Sequence, residues 1–592
     1  MNQFKIIIAG LFMFAALCAD AQVTPHPEKG ESWKNGNPEY FRTTSTITNP
    51  PFPRPRAMAE WEELGALALS WDLSWSNERK DLLAEIAKYA KEEVEVIIFC
   101  QGNDFDVPRR VKNELAFRGV DERNISLIPR NFDSRIWIRD YGAHSLYLNG
   151  VDSLVFVDWL YEPEYKAADD DVPDAMAGFF GSSRFATIEA PYKLKLDGGN
   201  FLTDGLGLAF SSTHIYDDNP YEAVEFDSIL GAFMGLKNYI KLEKLDHDVI
   251  HHVDMHMKLL DEETILVGKY PDGVADGPKI EANLNFLLEQ FKTSFGTDFK
   301  VRRIIMPPDA DGRYPDEING CSTLGQACYL TYTNALFVNK TILVPQYFGG
   351  TGYDEQALIT WQKFMPGYRI IGIDCRDIIK DYGAIHCVAK EIGVRDPLLI
   401  VHKKLENQCA DRTFYPIEAV VQHRSGIDQV TLYYKKVRDE NFSSTILLSA
   451  DGKNWSGYIP AYPPNTQIEY YLEARAINQK TLRRPIAAPA ARWHFTVDCL
   501  VKTRETTAEN KFVFYPNPAG EKIKIEIQNL DSQLINLQIC DLDGKFKKEI
   551  FSGRLKENHQ NLEFNTDQLA AGIYILQLIC RDGIFSKKLV VR

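Results

Sequence analysis

Short apolar runs, each interrupted by a turn pair and followed by a second apolar run, recur along the first two thirds of the chain. After His252-Val253-Asp254 the sequence reads KLLDEETILVGKY, and after Thr333-Asn334 it reads ALFVNKTILVPQY, with Asp261-Glu262 and Asn339-Lys340 at the turns. Asn149-Gly150 and Asp204-Gly205 hold the same place in two earlier stretches. Such pairs tolerate the positive φ that tight hairpins require, so the pattern predicts a hairpin at each.

A polar cluster marks each unit: Trp137-Ile138-Arg139-Asp140, Asp197-Gly198-Gly199-Asn200, His252-Val253-Asp254, Thr333-Asn334 and Gly383-Ala384-Ile385-His386-Cys387. Most lie about 55 residues apart, just beyond the range read as one repeated supersecondary unit. If each unit delivers its cluster from the same place, pseudo-symmetry brings all five to one pocket. Together they hold a possible nucleophile, a possible acid/base, carboxylates, an amide and an indole. That inventory suits holding and attacking a guanidinium group.

These five clusters, with Ala59-Glu60-Trp61-Glu62 and the Leu-Ser-Trp strand end after it, resemble the agmatine deiminases and the Porphyromonas-type bacterial peptidylarginine deiminases of the guanidino-group-modifying superfamily. The resemblance runs from Arg56 to Val394. It implies an α/β fold, a five-bladed pentein propeller of ββαβ units around a central funnel. It also implies deimination with Cys387 as nucleophile, in the G-x-x-H-C setting.

Taken singly, each site residue has a plainer reading: Cys387 as a buried strand cysteine, His252 as a satisfied histidine, Asp140 as a salt-bridge partner of Arg139, Gly198-Gly199 as a tight turn. The constellation changes them. Residues two apart in a strand share a face, so His252 and Asp254 are expected to project together. Asp254 and Asp140 then hold the guanidinium, Trp137 offers an indole face to its plane, and His252 protonates the leaving ammonia and later activates water. The resemblance implies that Asn334 orients substrate or thiolate, and that Asp197 contacts substrate. The nucleophile must be a thiolate, and a bound cation lowers its pKa.

No metal or organic cofactor is needed for this chemistry. A zinc reading of His251 to His256 lacks a further His or Cys set, and Asp309-Ala310-Asp311-Gly312 lacks the remaining ligand positions of a calcium loop. Porphyromonas-type enzymes capture the α-carboxylate of a C-terminal arginine with an arginine pair after a V-D-aromatic strand. Here the comparable stretch carries Glu162 and Glu164 and no arginine, which favours an amine or a cationic peptide surface over a free carboxylate. Arginine-containing peptides or proteins and agmatine are the expected substrates, with another guanidino hydrolase or a non-catalytic surface-binding protein as alternatives.

At 592 residues the chain exceeds one core. A net charge of -15 argues against nucleic-acid or anionic-membrane binding and suits cationic substrates. Residues Lys5 through Ala21 read as a signal peptide cleaved before Gln22; Leu17 before Cys18 argues against a lipoprotein, and no later apolar run is long enough to span a membrane. The remaining cysteines are too few for a disulfide scaffold. Cys321 with Cys328, and Cys409 with Cys499, are conceivable pairs that do not follow from sequence.

The expected domains are a signal peptide (1–21), an N-terminal segment (22–55), the deiminase domain (56–395), an immunoglobulin- or fibronectin-like β-sandwich (396–498), a linker (499–512) and a C-terminal β-sandwich domain (513–592). Alternating segments such as DQVTLYYKK and QIEYYLEARA carry the sandwich reading. Tyr515-Pro516-Asn517-Pro518, the Asp541-Leu542-Asp543-Gly544 turn, Gly572-Ile573-Tyr574 and the basic last strand resemble the sorting domain of type IX secretion in Bacteroidetes. That resemblance implies the type IX machinery as partner and export to the medium or cell surface through the periplasm.

Overall fold

The computed structural model describes residues 46–592 except 103, 105, 133–134, 162–168, 220–222, 316–328, 410–411, 499–511, 529–533, 542–545, 555–558 and 581–582. The chain divides into two compact units, residues 497–592 forming nearly all of the second. The proposed signal peptide, Glu162, Glu164, Cys321, Cys328 and Cys499 lie outside the described residues.

In the first unit, one local topology recurs in five small sheets among the described residues. An antiparallel hairpin leads through a helix to a strand parallel to the hairpin's second arm. The pattern is clearest in Met257–Leu259 with Thr264–Lys269, helix Gly277–Gln290 and strand Lys300–Ile305. It recurs in Leu336–Val338 with Thr341–Gln346, helix Tyr353–Phe364 and Arg369–Asp374. His144–Leu148 with Ser153–Asp158 and Leu202–Thr203 with Leu208–Ser212 begin two more. The fifth joins the two ends of the domain: Lys390–Gly393 pairs antiparallel with Leu64–Trp71, which pairs parallel with Glu95–Gln101.

The turn chemistry follows the sequence at three of the four turns; neither Asp261 nor Glu262 takes a positive φ. Asn149 and Gly150 have φ of 48° and 85°, Gly205 has 74° and Asn339 has 48°. Asn339 also fixes its neighbour, accepting from Leu64 N at 2.9 Å and donating to Leu64 O at 3.2 Å. Leu64–Trp71 is apolar almost throughout because it is covered on both faces; Ala66, Leu67, Ala68 and Leu69 are fully buried.

Beyond Leu399 the burial alternates, as in Phe414–Gln422, which is the mark of strands with one wet face. Phe414–Gln422 pairs with Asn454–Pro460, and Ile427–Lys436 with Thr466–Ala476, enclosing Tyr415, Ile417, Leu432, Tyr470 and Leu472. This layer is bound to the five sheets. Arg484 reaches Glu262 Oε1 at 3.0 Å and Trp61 O at 3.1 Å, Lys404 reaches Asp261 at 2.7 Å, and Ile486, Ala487 and Ala491 join the apolar core.

The second unit is all β. Lys522–Gln528 lies between Phe512–Tyr515 and His559–Asn565, and Leu534–Cys540 and Gly572–Cys580 lie inside a four-stranded sheet. Their inward residues, including Ile523, Ile525, Leu537, Ile539, Leu576 and Leu578, form its core. No helix among the described residues is long and apolar enough to cross a membrane.

Candidate active site

Three of the polar clusters form a single helical turn just before a hairpin: Ile138–Tyr141, Gly198–Asn200 and Val253–Met255. Trp137, Asp197 and His252 each stand at the N-terminal edge of their turn, Asp197 and His252 with nearly the same backbone angles. The repeat therefore presents different side chains from equivalent positions. Asn200 ties two units together, its Oδ1 accepting from Ser212 N at 2.8 Å and Val253 N at 3.3 Å.

His252 and Asp254 are not on a strand, as expected from their spacing, but on this turn. Both reach the site, yet they face different partners. His252 Nε2 is 3.2 Å from Asp197 Oδ2, and its Nδ1 is 3.8 Å from Asp140 Oδ1. Asp254 Oδ2 is 2.7 Å from His386 Nδ1, and its Oδ1 has no hydrogen-bond partner among the described residues. Cys387 Sγ lies 3.3 Å from Asn334 Nδ2 and 3.8 Å from Asp254 Oδ2. Asn334 is fully buried and also accepts from His386 N at 3.0 Å.

Glycines make the close approach possible. A Cβ on Gly199 would lie 2.6 Å from His252 Nδ1, 3.0 Å from Asp140 Oδ1 and 3.2 Å from Asp254 Oδ2; the Gly199 N–H meanwhile donates to Asp140 at 2.9 Å. A Cβ on Gly383 would lie 2.3 Å from Trp137 Cζ3 and 3.1 Å from Cys387 Cβ, so the indole edge lies over Gly383 beside the cysteine. All the catalytic and substrate residues expected from sequence and described here, Trp137, Asp140, Asp197, His252, Asp254, Asn334 and Cys387, are linked through these contacts. Asp197 meets His252 directly.

The electrostatics follow from crowded carboxylates in a dry site. Burial, reinforced by Asp254 and Asp140, pushes the Cys387 thiol well above the ordinary thiol range. Burial would lower His252, but Asp140 and Asp197 outweigh it and hold the imidazole up at about 10. Burial raises Asp140 to about 6 against the pull of His252. Burial also works to raise Asp254, yet the His386 hydrogen bond and nearby positive groups keep it below the usual carboxylate range.

Beneath the site runs an ionic network that sequence reasoning did not assign. His386 Nε2 is 3.0 Å from Glu60 Oε1, Glu60 pairs with Lys258, and Arg139 Nη1 is 2.6 Å from Glu391 Oε2. Arg139 Nε also donates to His386 O at 3.0 Å. The adjacency of His386 to Cys387 and of Glu60 to Trp61 was the available signal; neither shows an ionic partner. Glu60, His386 and Glu391 are also spaced to approach one cation. Lys258 and Arg139 already occupy their carboxylates, so the cluster is better satisfied as it stands. Asp309 accepts from the backbone of Asp311 and Arg313 and from the Arg313 side chain, which makes its loop a self-capped turn.

The sequence model of the Porphyromonas-type peptidyl-arginine deiminase family matches residues 56–392, and that of the secretion system C-terminal sorting domain matches residues 513–592. A putative agmatine deiminase of Legionella pneumophila is 26% identical over 356 residues, covering 56% of this chain and 93% of the relative. One of Vibrio parahaemolyticus is 22% identical over 361 residues, covering 56% and 95%. Among solved structures, the agmatine deiminase of Enterococcus faecalis superposes with a TM-score of 0.50 at 17% identity, covering 60% of this chain and all of that one. The fold is thus the pentein fold of such deiminases.

Proposed function

The chain belongs to the Porphyromonas-type peptidyl-arginine deiminase family, and on that premise we propose that it is a secreted enzyme converting arginine residues of peptides and proteins to citrulline with release of ammonia. It is a guanidino-group deiminase, a hydrolase acting on C–N bonds of linear amidines. The observation that carries the substrate-binding part is the wall around Cys387. A buried thiol stands 3.8 Å from the Asp254 carboxylate, with Asp140 close by beside Gly199, and such a wall suits a planar cation.

In the proposed mechanism Asp140 and Asp254 hold the guanidinium while the thiol loses its proton to solvent. The Cys387 thiolate attacks the central carbon, forming the S–C bond. The C–N bond to a terminal nitrogen then breaks, and that nitrogen leaves as ammonia with the proton of His252. His252 next takes a proton from water, which attacks the thiouronium carbon; the S–C bond breaks, the departing Cys387 sulfur takes the hydroxyl proton, and a neutral ureido group remains. Trp137 flanks the plane, Asn334 orients the sulfur and Asp197 keeps His252 protonated.

We further propose that the five sheets are the blades of a pentein propeller spanning 56–395. In this reading an immunoglobulin-like sandwich follows at 396–498, and the C-terminal domain directs the chain, led by its signal peptide, through type IX secretion to the medium or the cell surface. The similarity to putative agmatine deiminases favours a second reading, agmatine hydrolysis to N-carbamoylputrescine.

One assay separates the two: ammonia and ureido-product release from peptides ending in arginine, their amides, internal-arginine peptides, agmatine and free arginine, on one preparation. Turnover of peptidyl arginine above agmatine supports the proposal, and amidated ends at least matching free acids support a repulsive role for Glu162 and Glu164. Agmatine far above every peptide overturns the peptidyl reading. No turnover of any guanidino compound overturns the enzyme.

A further inference from the structure

We infer that His386 and Glu60 form a positioning pair for Asp254: the buried imidazole donates from both ring nitrogens, to Glu60 Oε1 and to Asp254 Oδ2, the carboxylate oxygen that lies 3.8 Å from Cys387 Sγ. The inference rests on the guanidino-deiminase reading above and adds to it residues that do not touch the substrate.

The reason is hydrogen-bond arithmetic. His386 Nδ1 lies 2.7 Å from one carboxylate oxygen and Nε2 lies 3.0 Å from another. An ionised carboxylate accepts and cannot donate, while a neutral imidazole has one N–H and one lone pair. A neutral ring would set a lone pair against a carboxylate oxygen at hydrogen-bond distance, in a place closed to water. Burial would raise both carboxyls, but besides His386 itself, Lys258 acts on Glu60 and Arg139 acts on both to hold them below their ordinary values. A ring with two N–H groups satisfies both.

The surrounding charges fit that state. From the other elements, Glu391 lies 3.8 Å from His386 Nε2 and pairs with Arg139, while Lys258 pairs with Glu60. Cys387 follows directly in sequence, and the His386 backbone N–H holds Asn334 Oδ1, so residue 386 orders both the carboxylate and the amide that face the sulfur. A residue needed for packing alone would be apolar, since buried ion pairs add little to stability over well-packed hydrophobic residues.

The test is NMR of the full-length chain with 15N-labelled histidine, the His386 signals being those lost in His386→Gln, together with kinetics on arginyl peptide and agmatine. Two ring N–H signals from His386 are expected at the pH of the kinetic assay. A single one, with the shifts of a neutral tautomer, overturns the inference. His386→Asn retains a donor near the Nδ1 position and His386→Leu has none. The asparagine variant should keep at least about tenfold more kcat/KM, with the leucine loss falling in both KM and kcat. Equal losses in the two variants overturn the positioning role. Should these variants not fold, Glu60→Gln, whose amide N–H can meet a ring lone pair, is expected to reduce the ring to one N–H signal and to lower turnover; two retained signals with full turnover overturn the pair. If the wild-type chain turns over no guanidino compound, the functional reading fails, and the N–H count still decides the pair.

Discussion

Cys387 Sγ lies 3.8 Å from Asp254 Oδ2, so the proposed nucleophile and a buried carboxylate share one dry wall. Thiolate and carboxylate repel at that distance, and the repulsion grows as water is excluded. A guanidinium placed against Asp254 reverses the sign. The free enzyme should therefore hold Cys387 as a thiol, and the bound enzyme should favour the thiolate.

Alkylation kinetics read this difference. At pH 7 iodoacetamide should modify Cys387 more slowly than free cysteine, whereas a chloroacetamidine, which carries its own cation, should modify it faster. Iodoacetamide labelling as fast as the amidine would rule out substrate-assisted ionisation. Cys387→Ala should lower turnover by about four orders of magnitude or more while leaving the fold intact.

The pH profile of kcat/KM should be bell-shaped. Asp140, raised to about 6, is ionised above that pH and lost as a cation acceptor below it. His252, held up at about 10, supplies its proton below that pH and not above. The limbs belong to the interacting pair rather than to either residue alone. In Asp197→Asn the anion that supports His252 is gone, so the alkaline limb should move toward neutral pH; an unmoved limb would assign it elsewhere. Stability has the same sign. His252 is raised above its unfolded value of 6.5, so its contribution is fully present below that pH and disappears as pH rises through about 10. Thermal unfolding between pH 7 and 10.5 checks this.

Gly199→Ala should reduce kcat/KM by about 100-fold or more, because its methyl would lie 2.6 Å from His252 Nδ1 and 3.0 Å from Asp140 Oδ1. Gly383→Ala should displace the Trp137 ring and destabilise the protein by about 1–3 kcal/mol. Trp137 fluorescence and the thermal midpoint report the second effect. Wild-type kinetics in either variant would contradict the packing described.

Removing residues 513–592 should leave deimination intact but abolish export in the native host, since that segment matches a sorting domain and carries none of the site. The layer between is a different matter. Arg484→Ala should cost about 3 kcal/mol, because it leaves the largely buried Glu262 unpaired at the turn of the hairpin that follows His252 and Asp254. Denaturant unfolding of the full chain measures it. A loss under about 0.5 kcal/mol would mean that the contact contributes nothing to the catalytic sheets.

The hairpins could be read along the chain because turn pairs and apolar alternation are local properties. Asn149-Gly150 and Asn339 needed no distant partner to declare a positive φ. The polar clusters were legible for a related reason: each recurs at the same point of its unit, and their residue types, together with the family resemblance, named a chemistry. What folding decided was where each side chain looks. His252 and Asp254 share a turn rather than a strand because Asn200, from the preceding unit, takes the Val253 N–H. The pairing of Lys390–Gly393 with Leu64–Trp71 joins the domain's ends and brings Glu60 to His386 across 326 residues. No periodicity announces such a contact. A charge buried without a partner is prohibitively costly, so these residues find their roles only when the tertiary fold supplies the opposite charge.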